Sequence, residues 1–214
     1  TEAVKVCNAV AKKFNHKITW NDGLIGADAI DKVGDPYPQK THEICLESDA
    51  ILFGAIGDPK YDNNPNAKIR PEQGLLSMRK KLGLYANIRP TFTFDSLIEN
   101  SPLKKEIIRG TNLIFVRELT GGIYFGKKGR NNKNMSAYDT CNYSKDEIVR
   151  LAKIGFNLAS KRSKKLCCVD KANVMESSRL WRETVQGLEK EYPSVNVSYE
   201  LVDAVAMRLV QWPN

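Results

Sequence analysis

Apolar positions recur at helical spacing from the start of the chain: Val4, Cys7, Val10, Ala11 and Phe14 fall on one face. Lys12 and Lys13 lie near the C-terminal end of that helix, Thr1 to Phe14, where the dipole favours cations. A short strand is predicted at Lys17 to Trp20, a helix at Gly26 to Lys32 ended by Gly34-Asp35-Pro36, and another at Gln39 to Glu47. Ala50 to Ile56 is a continuous apolar run, the pattern of a strand buried on both faces, and Gly57-Asp58-Pro59 breaks it. Pro71 with Glu72 beside it starts a helix through Leu82, and Gly83 stops it. Strands follow at Leu84 to Phe94, interrupted at Pro90, and at Leu113 to Leu119. A third begins at Ile123-Tyr124-Phe125 after a Gly-Gly pair, which lends residues 119 to 143 an antiparallel look. Lys127 to Ser136 is polar and rich in Asn and Gly, an exposed loop. Ser144 and Glu147 form a capping box, and the helix behind them carries Ile148, Leu151, Ala152, Gly155, Leu158 and Ala159 on one face. Lys165 to Val169 is a strand, Ser177 to Glu191 a helix, Val195 to Val202 a strand, and Asp203 opens a last helix.

Strands alternating with helices define an α/β chain. Two α/β domains are expected, 1–84 and 85–214, meeting near Leu84. A sheet rarely stops after a helix with no covering strand, and the first residue is not Met, so both ends are expected to be cut, leaving the first domain incomplete and the second without its C-terminal end.

The composition is 42% apolar and 27% charged, which excludes disorder, and no run of eighteen uncharged apolar residues provides a membrane span. The formal charge is +8, spread over short runs such as Arg79-Lys80-Lys81 and Lys161 to Lys165. Dispersed charge with no recognition motif argues against a nucleic-acid partner and fits a solvated surface; a basic field also speeds encounter with a small anion. Five Cys, an odd number with no C-x-x-C, point to a reducing compartment rather than a disulfide framework or zinc site. With two His, histidine metal chemistry and a Ser-His triad have little to work with.

Candidate chemistry starts with Arg79 on a helix and Arg89 and Arg117 on strands, all flanking the expected domain boundary. Each could be an ordinary ion-paired Arg, and Glu118 is adjacent to Arg117. Together, planar guanidinium groups converging on one cleft suit a ligand with two carboxylates. Tyr124 follows a Gly-Gly turn that lets backbone approach a ligand, although packing is its plainer use. Lys171 follows an apolar strand, at the end where α/β folds place their sites; a salt bridge to Asp170 is the structural alternative. Asp203, at a strand-to-helix junction, suits either an N-cap or a hard cation.

Five ordered segments carry a resemblance: Arg70-Pro71-Glu72-Gln73-Gly74-Leu75-Leu76-Ser77-Met78-Arg79; Gly83 to Pro90; Val116-Arg117-Glu118-Leu119-Thr120-Gly121-Gly122-Ile123-Tyr124-Phe125-Gly126; Val169-Asp170-Lys171-Ala172-Asn173-Val174; and Val202 to Met207. With them the chain resembles, along its whole length, the decarboxylating β-hydroxyacid dehydrogenases, the family of isocitrate and 3-isopropylmalate dehydrogenases. The resemblance implies that Arg79, Arg89 and Arg117 hold the malate carboxylates and that Tyr124 protonates the product enol. It implies Lys171 as general base or its relay and Asp203 as a ligand of Mg²⁺ or Mn²⁺, both serving a second copy's cleft in a homodimer. It places Glu72 near the nicotinamide of NAD, and Leu75 and Leu76, with Val174 of the second copy, against the substrate's isopropyl group. Residues 127–143 match the arm through which dimers of the family clasp each other.

The expected reaction is oxidative decarboxylation of (2R,3S)-3-isopropylmalate to 2-oxo-4-methylpentanoate, in cytoplasmic leucine biosynthesis. Oxidation at C2 leaves a β-keto acid that loses its C3 carboxylate, and a Lys beside a metal and several Arg has its charged form disfavoured, as a base requires. Leu75 and Leu76 separate this substrate from isocitrate, homoisocitrate and tartrate. An unpaired carboxylate against two leucines costs several kcal/mol, whereas an isopropyl group gains roughly 25 cal/mol per Å² buried. The family's opening strand and Gly-Asp-Gly-Ile-Gly loop, two further metal-binding Asp and the loop for the adenosine half of NAD have no match in the sequence. The 214 residues alone are therefore expected to be inactive, and a non-catalytic piece or regulatory subunit is the alternative reading.

Overall fold

The computed structural model describes residues 2–62 and 67–213. The chain divides into two units, Thr1–Leu82 and Gly83–Asn214. Among the described residues no helix is long and apolar enough to cross a membrane.

The first unit contains α1 (Glu2–Phe14), α2 (Gly26–Val33), α3 (Gln39–Glu47), a single-turn α4 (Pro59–Asp62) and α5 (Pro71–Lys81). Thr1, the expected first residue of α1, lies outside the described residues. Pro71 sits at the first position of α5, where its missing N–H costs nothing, and the Arg70 N–H donates to the Gln73 side chain at 3.1 Å. α5 buries Pro71, Gly74 and Met78, spaced i, i+3 and i+7, and packs against α2. Close approach explains Gly74: a Cβ there would lie 2.2 Å from the Pro36 carbonyl oxygen.

Two strands expected in this unit do not form. Lys17 to Trp20 is irregular, with Trp20 held instead by a bond from its indole N–H to Asn8 at 2.9 Å. Ala50 to Ile56 has no ladder either, and Ile51, Leu52 and Phe53 remain substantially exposed. Apolar composition makes a segment suited to a sheet, but only a partner strand makes it one, and no described residue pairs with it. Its final carbonyl, at Ile56, accepts from the Ala27 N–H at 2.9 Å and so satisfies the first turn of α2.

The second unit begins with β1 (Ala86–Phe92), a 3-10 turn and α6 (Lys105–Ile108), then β2 (Asn112–Glu118). β1 runs through Pro90 without the expected interruption, antiparallel to β2 with Ala86 opposite Glu118 and Pro90 opposite Ile114. In a two-stranded ribbon each strand has an open edge, and a Pro is tolerated there. Ile123 to Phe125 is not a strand: Gly122–Tyr124 forms a 3-10 turn. The strands lie further on, inside the segment expected to be loop. β3 (Lys128–Asn131) and β4 (Ser136–Asp139) make an exposed antiparallel hairpin, held by main-chain pairing with no alternation of apolar residues to announce it.

The core of this unit lies between α7 (Lys145–Ser160), β5 (Lys165–Asp170), α8 (Glu176–Leu188) and β6 (Asn196–Leu201), with α9 (Val202–Gln211) closing the described chain. Ser144 and Glu147 cap α7 reciprocally, as their spacing predicts. Ile148 and Phe156 are fully buried with Ala159, Cys168, Val185, Leu188 and Val195. Phe156 stacks on Tyr192 at 4.6 Å, and Tyr143 meets Trp181 edge-on at 5.1 Å. Burial pushes the Cys168 thiol up to about 12, so it behaves as a small apolar side chain. β5 and β6 are parallel, Lys165 opposite Asn196 and Asp170 opposite Leu201, joined by α8 as a βαβ unit.

Gly26 and Gly34 both have left-handed backbone, at φ 67° and 74°, yet only Gly26 is enclosed, a Cβ there reaching 2.4 Å from the Ile56 oxygen. Gly34→Ala should therefore cost about 1 kcal/mol, the conformational cost alone. Gly26→Ala should cost at least about 2 kcal/mol, because the α2–Ile56 contact has to open as well. Urea unfolding of the two variants measures this ordering, and equal losses would mean that the contact contributes nothing.

Candidate functional site

The sequence-predicted residues fall into three groups. On α5, Glu72, Leu75, Leu76 and Arg79 are spaced i, i+3, i+4 and i+7 and share a face distinct from the one that Pro71, Gly74 and Met78 bury. Glu72 is exposed; Leu75, Leu76 and Arg79 are half-buried. One face of a first-unit helix thus offers a carboxylate, two branched apolar groups and a guanidinium in succession.

The second group lies on the β1–β2 ribbon. Pairing Asn87 with Arg117 and Arg89 with Phe115 puts Arg89 and Arg117 on the same face as diagonal neighbours. The Arg89 Nε donates to Asn87 Oδ1, which aims the guanidinium and leaves its Nη1–Nη2 edge for a ligand. Arg117 does not pair with the adjacent Glu118, since successive strand residues point to opposite faces. Its Nη2 donates to the Tyr124 hydroxyl at 3.2 Å, and its guanidinium lies 5.6 Å from the centre of that ring. A guanidinium can only donate, so the Tyr124 oxygen accepts and the phenolic proton is left to point elsewhere. Both Arg side chains and Tyr124 are exposed.

The third group lies at the C-terminal ends of the parallel strands. Lys171 directly follows β5 and Asp203 stands in the first turn of α9, immediately after β6. The Lys171 Nζ meets Asp203 Oδ1 at 2.6 Å. That hydrogen bond holds the Asp203 carboxyl below the usual carboxylate range. Asp203 does not cap α9, whose N-cap is Leu201, and Lys171 does not pair with Asp170. Among the described residues no hydrogen bond or ion pair joins this couple to Arg89, Arg117 or Tyr124. Nor does any group of three His, Cys, Asp or Glu there form a metal cage. Asp203 alone does not satisfy the octahedral oxygen set of Mg²⁺.

Two buried carboxylates escaped the sequence reading. Asp170, its side chain 1% exposed, takes both Arg182 Nε at 2.8 Å and Nη2 at 3.0 Å, and accepts the Ala172 N–H at 2.9 Å. It fixes the turn that presents Lys171. Glu118, 3% exposed, bonds to Thr120, Gly121 and Arg150 beneath the turn leading to Tyr124. An acidic residue closing an apolar strand was the available signal, but its partners stand 12 and 32 residues away, on helices whose facing side periodicity cannot identify.

Comparison with known proteins adds to this geometry. The isocitrate/isopropylmalate dehydrogenase family model matches residues 1–214. The chain is 53% identical over 212 residues to a 3-isopropylmalate dehydrogenase of Bacteroides fragilis, covering 99% of this chain and 60% of the relative. It is 50% identical over 214 residues to a 3-isopropylmalate dehydrogenase of Geobacillus kaustophilus, covering 99% and 57%. The chain thus spans about 60% of the length of these curated relatives. An isocitrate dehydrogenase structure from Methylococcus capsulatus superposes with a TM-score of 0.76 at 24% identity, covering 98% of this chain and 59% of that one, a likeness of fold.

The Asp170–Arg182 pair generates a stability prediction. Arg182→Met strands a buried carboxylate and should cost roughly 3–5 kcal/mol. The double variant Asp170→Asn with Arg182→Met should recover part of that loss, because no charge is then left buried. A double-mutant cycle by chemical denaturation checks it; strictly additive losses would mean that the two side chains are not coupled.

Proposed function

The chain belongs to the isocitrate/isopropylmalate dehydrogenase family, and on that footing we propose that it forms part of an enzyme that oxidatively decarboxylates (2R,3S)-3-isopropylmalate to 2-oxo-4-methylpentanoate in leucine biosynthesis. The observation that carries the reading is the ribbon face on which Arg89 and Arg117 stand together with Tyr124 in contact with Arg117. Two guanidinium groups beside a phenol suit a dicarboxylate that passes through an enol.

Arg89 and Arg117, with Arg79 of α5, hold the substrate carboxylates. Tyr124, its oxygen occupied by the Arg117 donor, gives its proton to the enol carbon. Lys171 in its neutral form takes the C2 hydroxyl proton, and Asp203, which meets Lys171 Nζ, holds it in place and would offer one oxygen to a cation. When bound, NAD would supply the hydride acceptor, and Mg²⁺ or Mn²⁺, to which Asp203 would contribute one ligand, would supply Lewis-acid polarisation at C2. Glu72 lies beside the nicotinamide, Leu75 and Leu76 take the isopropyl group, and residues 1–84 form part of the cofactor-side domain. We further propose a cytoplasmic homodimer in which the β3–β4 hairpin is the clasping arm and Lys171 and Asp203 serve the second copy's cleft. An isolated two-stranded hairpin is marginal in water, which supports a surface that covers it.

The complete enzyme should prefer 3-isopropylmalate to isocitrate by at least about a hundredfold in kcat/KM, since Leu75 and Leu76 leave a third carboxylate unpaired. Lys171→Met should lower kcat and kcat/KM together by several orders of magnitude, roughly 10³ or more. Both are read from NADH formation at steady state. Preference for isocitrate would refute the substrate assignment, and an unchanged kcat with raised KM would make Lys171 a carboxylate anchor.

A further inference from the structure

We propose that Glu118 and Arg150 are positioning residues that set Tyr124 against Arg117 through Thr120; the inference rests on reading Tyr124 as the proton donor. Glu118 ends β2 on the face opposite Arg117. Its almost fully buried carboxylate accepts the Thr120 N–H at 2.8 and 2.9 Å, the Thr120 hydroxyl at 2.8 Å and the Gly121 N–H at 2.6 Å. Arg150, on α7, neutralises it: Nη2 lies 3.3 Å from Glu118 Oε1 and 2.6 Å from Thr120 Oγ1. The guanidinium lies 4.5 Å from the centre of the Tyr85 ring, and the Tyr85 carbonyl accepts the Leu119 N–H. The chain between Glu118 and Gly121 is thereby tied to α7 and to the residue preceding β1.

The next residues inherit that placement. Gly122 donates to the Asn142 carbonyl at 2.9 Å with φ 72°, and a Cβ there would lie 2.2 Å from the Tyr143 hydroxyl oxygen. The chain between this contact and the Glu118 bonds has little freedom, and the 3-10 turn leaving it delivers Tyr124. Tyr124 itself is exposed and has Arg117 as its one hydrogen-bond partner among the described residues. Its position is therefore set from beneath the turn, by a carboxylate that faces away from the ligand side of the ribbon. Four donors leaning on one buried carboxylate make the arrangement stiff, because losing any of them leaves a polar group unpaired.

The test is a set of variants of the complete enzyme with two readouts. In enzyme carrying 3-fluorotyrosine at position 124, Glu118→Gln and Thr120→Val should each shift or broaden the ¹⁹F resonance, and Thr120→Ser, which keeps the hydroxyl, should restore it. In turnover of 3-isopropylmalate, Glu118→Gln should lower kcat about a hundredfold, the size of effect a misplacement near 1 Å produces, with KM changed less than about threefold. In a Tyr124→Phe background the same substitution should change kcat less than about twofold. If Glu118→Gln does not fold, Thr120→Val removes a single hydroxyl and should act in the same direction by about tenfold. An unmoved resonance in both variants, or equal losses with and without the Tyr124 hydroxyl, overturns the proposal. A resonance that moves while Tyr124→Phe retains full turnover upholds the positioning and refutes the proton-donor reading instead.

Discussion

Two parallel strands cannot be joined by a tight turn, so the chain between Asp170 and Asn196 has to climb back over the sheet, and it does so as α8. From that requirement the second unit follows. The returning helix needs an apolar face, which Leu180, Trp181, Val185 and Leu188 provide, and the sheet's covering needs α7 with Ile148 and Phe156. The register that aligns Asp170 with Leu201 brings both strands to an end at the same level. The residues just beyond, Lys171 and Asp203, consequently meet at 2.6 Å although they are 32 positions apart.

Polar groups divide between two tasks in this framework. Asp170 and Glu118 are buried, neutralised by Arg182 and Arg150, and spend their oxygens on backbone N–H groups of the turns that follow. Lys171 and Tyr124 stand at or beyond those turns, and they, with Asp203 after β6 and Arg89 and Arg117 on the ribbon, are more open to solvent and available to a ligand. A buried ion pair is weak evidence of net stabilisation, because desolvation offsets much of the attraction. Its use here is geometric, since each carboxylate closes a strand and aims the next few residues.

Much of the fold was legible in the sequence because helices announce themselves locally. The Pro71 start of α5, the Ser144–Glu147 box of α7 and the apolar faces of α1 and α7 need only neighbours within one turn. β5 and β6 form where strands are expected, at Lys165 to Val169 and Val195 to Val202. Where the reading failed, the deciding partner was not local. Ala50 to Ile56 has a strand's composition without a ladder, and β3–β4 has a ladder without a strand's composition. Among the candidate residues, the pairing of Lys171 with Asp203 and of Arg117 with Tyr124 could not be read from spacing. The ordinary alternative, Arg117 pairing with the adjacent Glu118, does not form, because neighbours along a strand point to opposite faces and Glu118 pairs with Arg150 instead.

The proposed function draws the ribbon face bearing Arg89, Arg117 and Tyr124 and the Lys171–Asp203 couple into one chemistry: loss of a carboxylate coupled to hydride transfer. The most direct measurement is the fate of that carboxylate. The complete enzyme would be supplied with NAD, Mg²⁺ and 3-isopropylmalate carrying ¹³C in the C3 carboxylate, and labelled CO₂ and NADH would be followed together. Labelled CO₂ released in equal amount to NADH is the predicted result. NADH without labelled CO₂, or no oxidation of this substrate at all, would contradict the account.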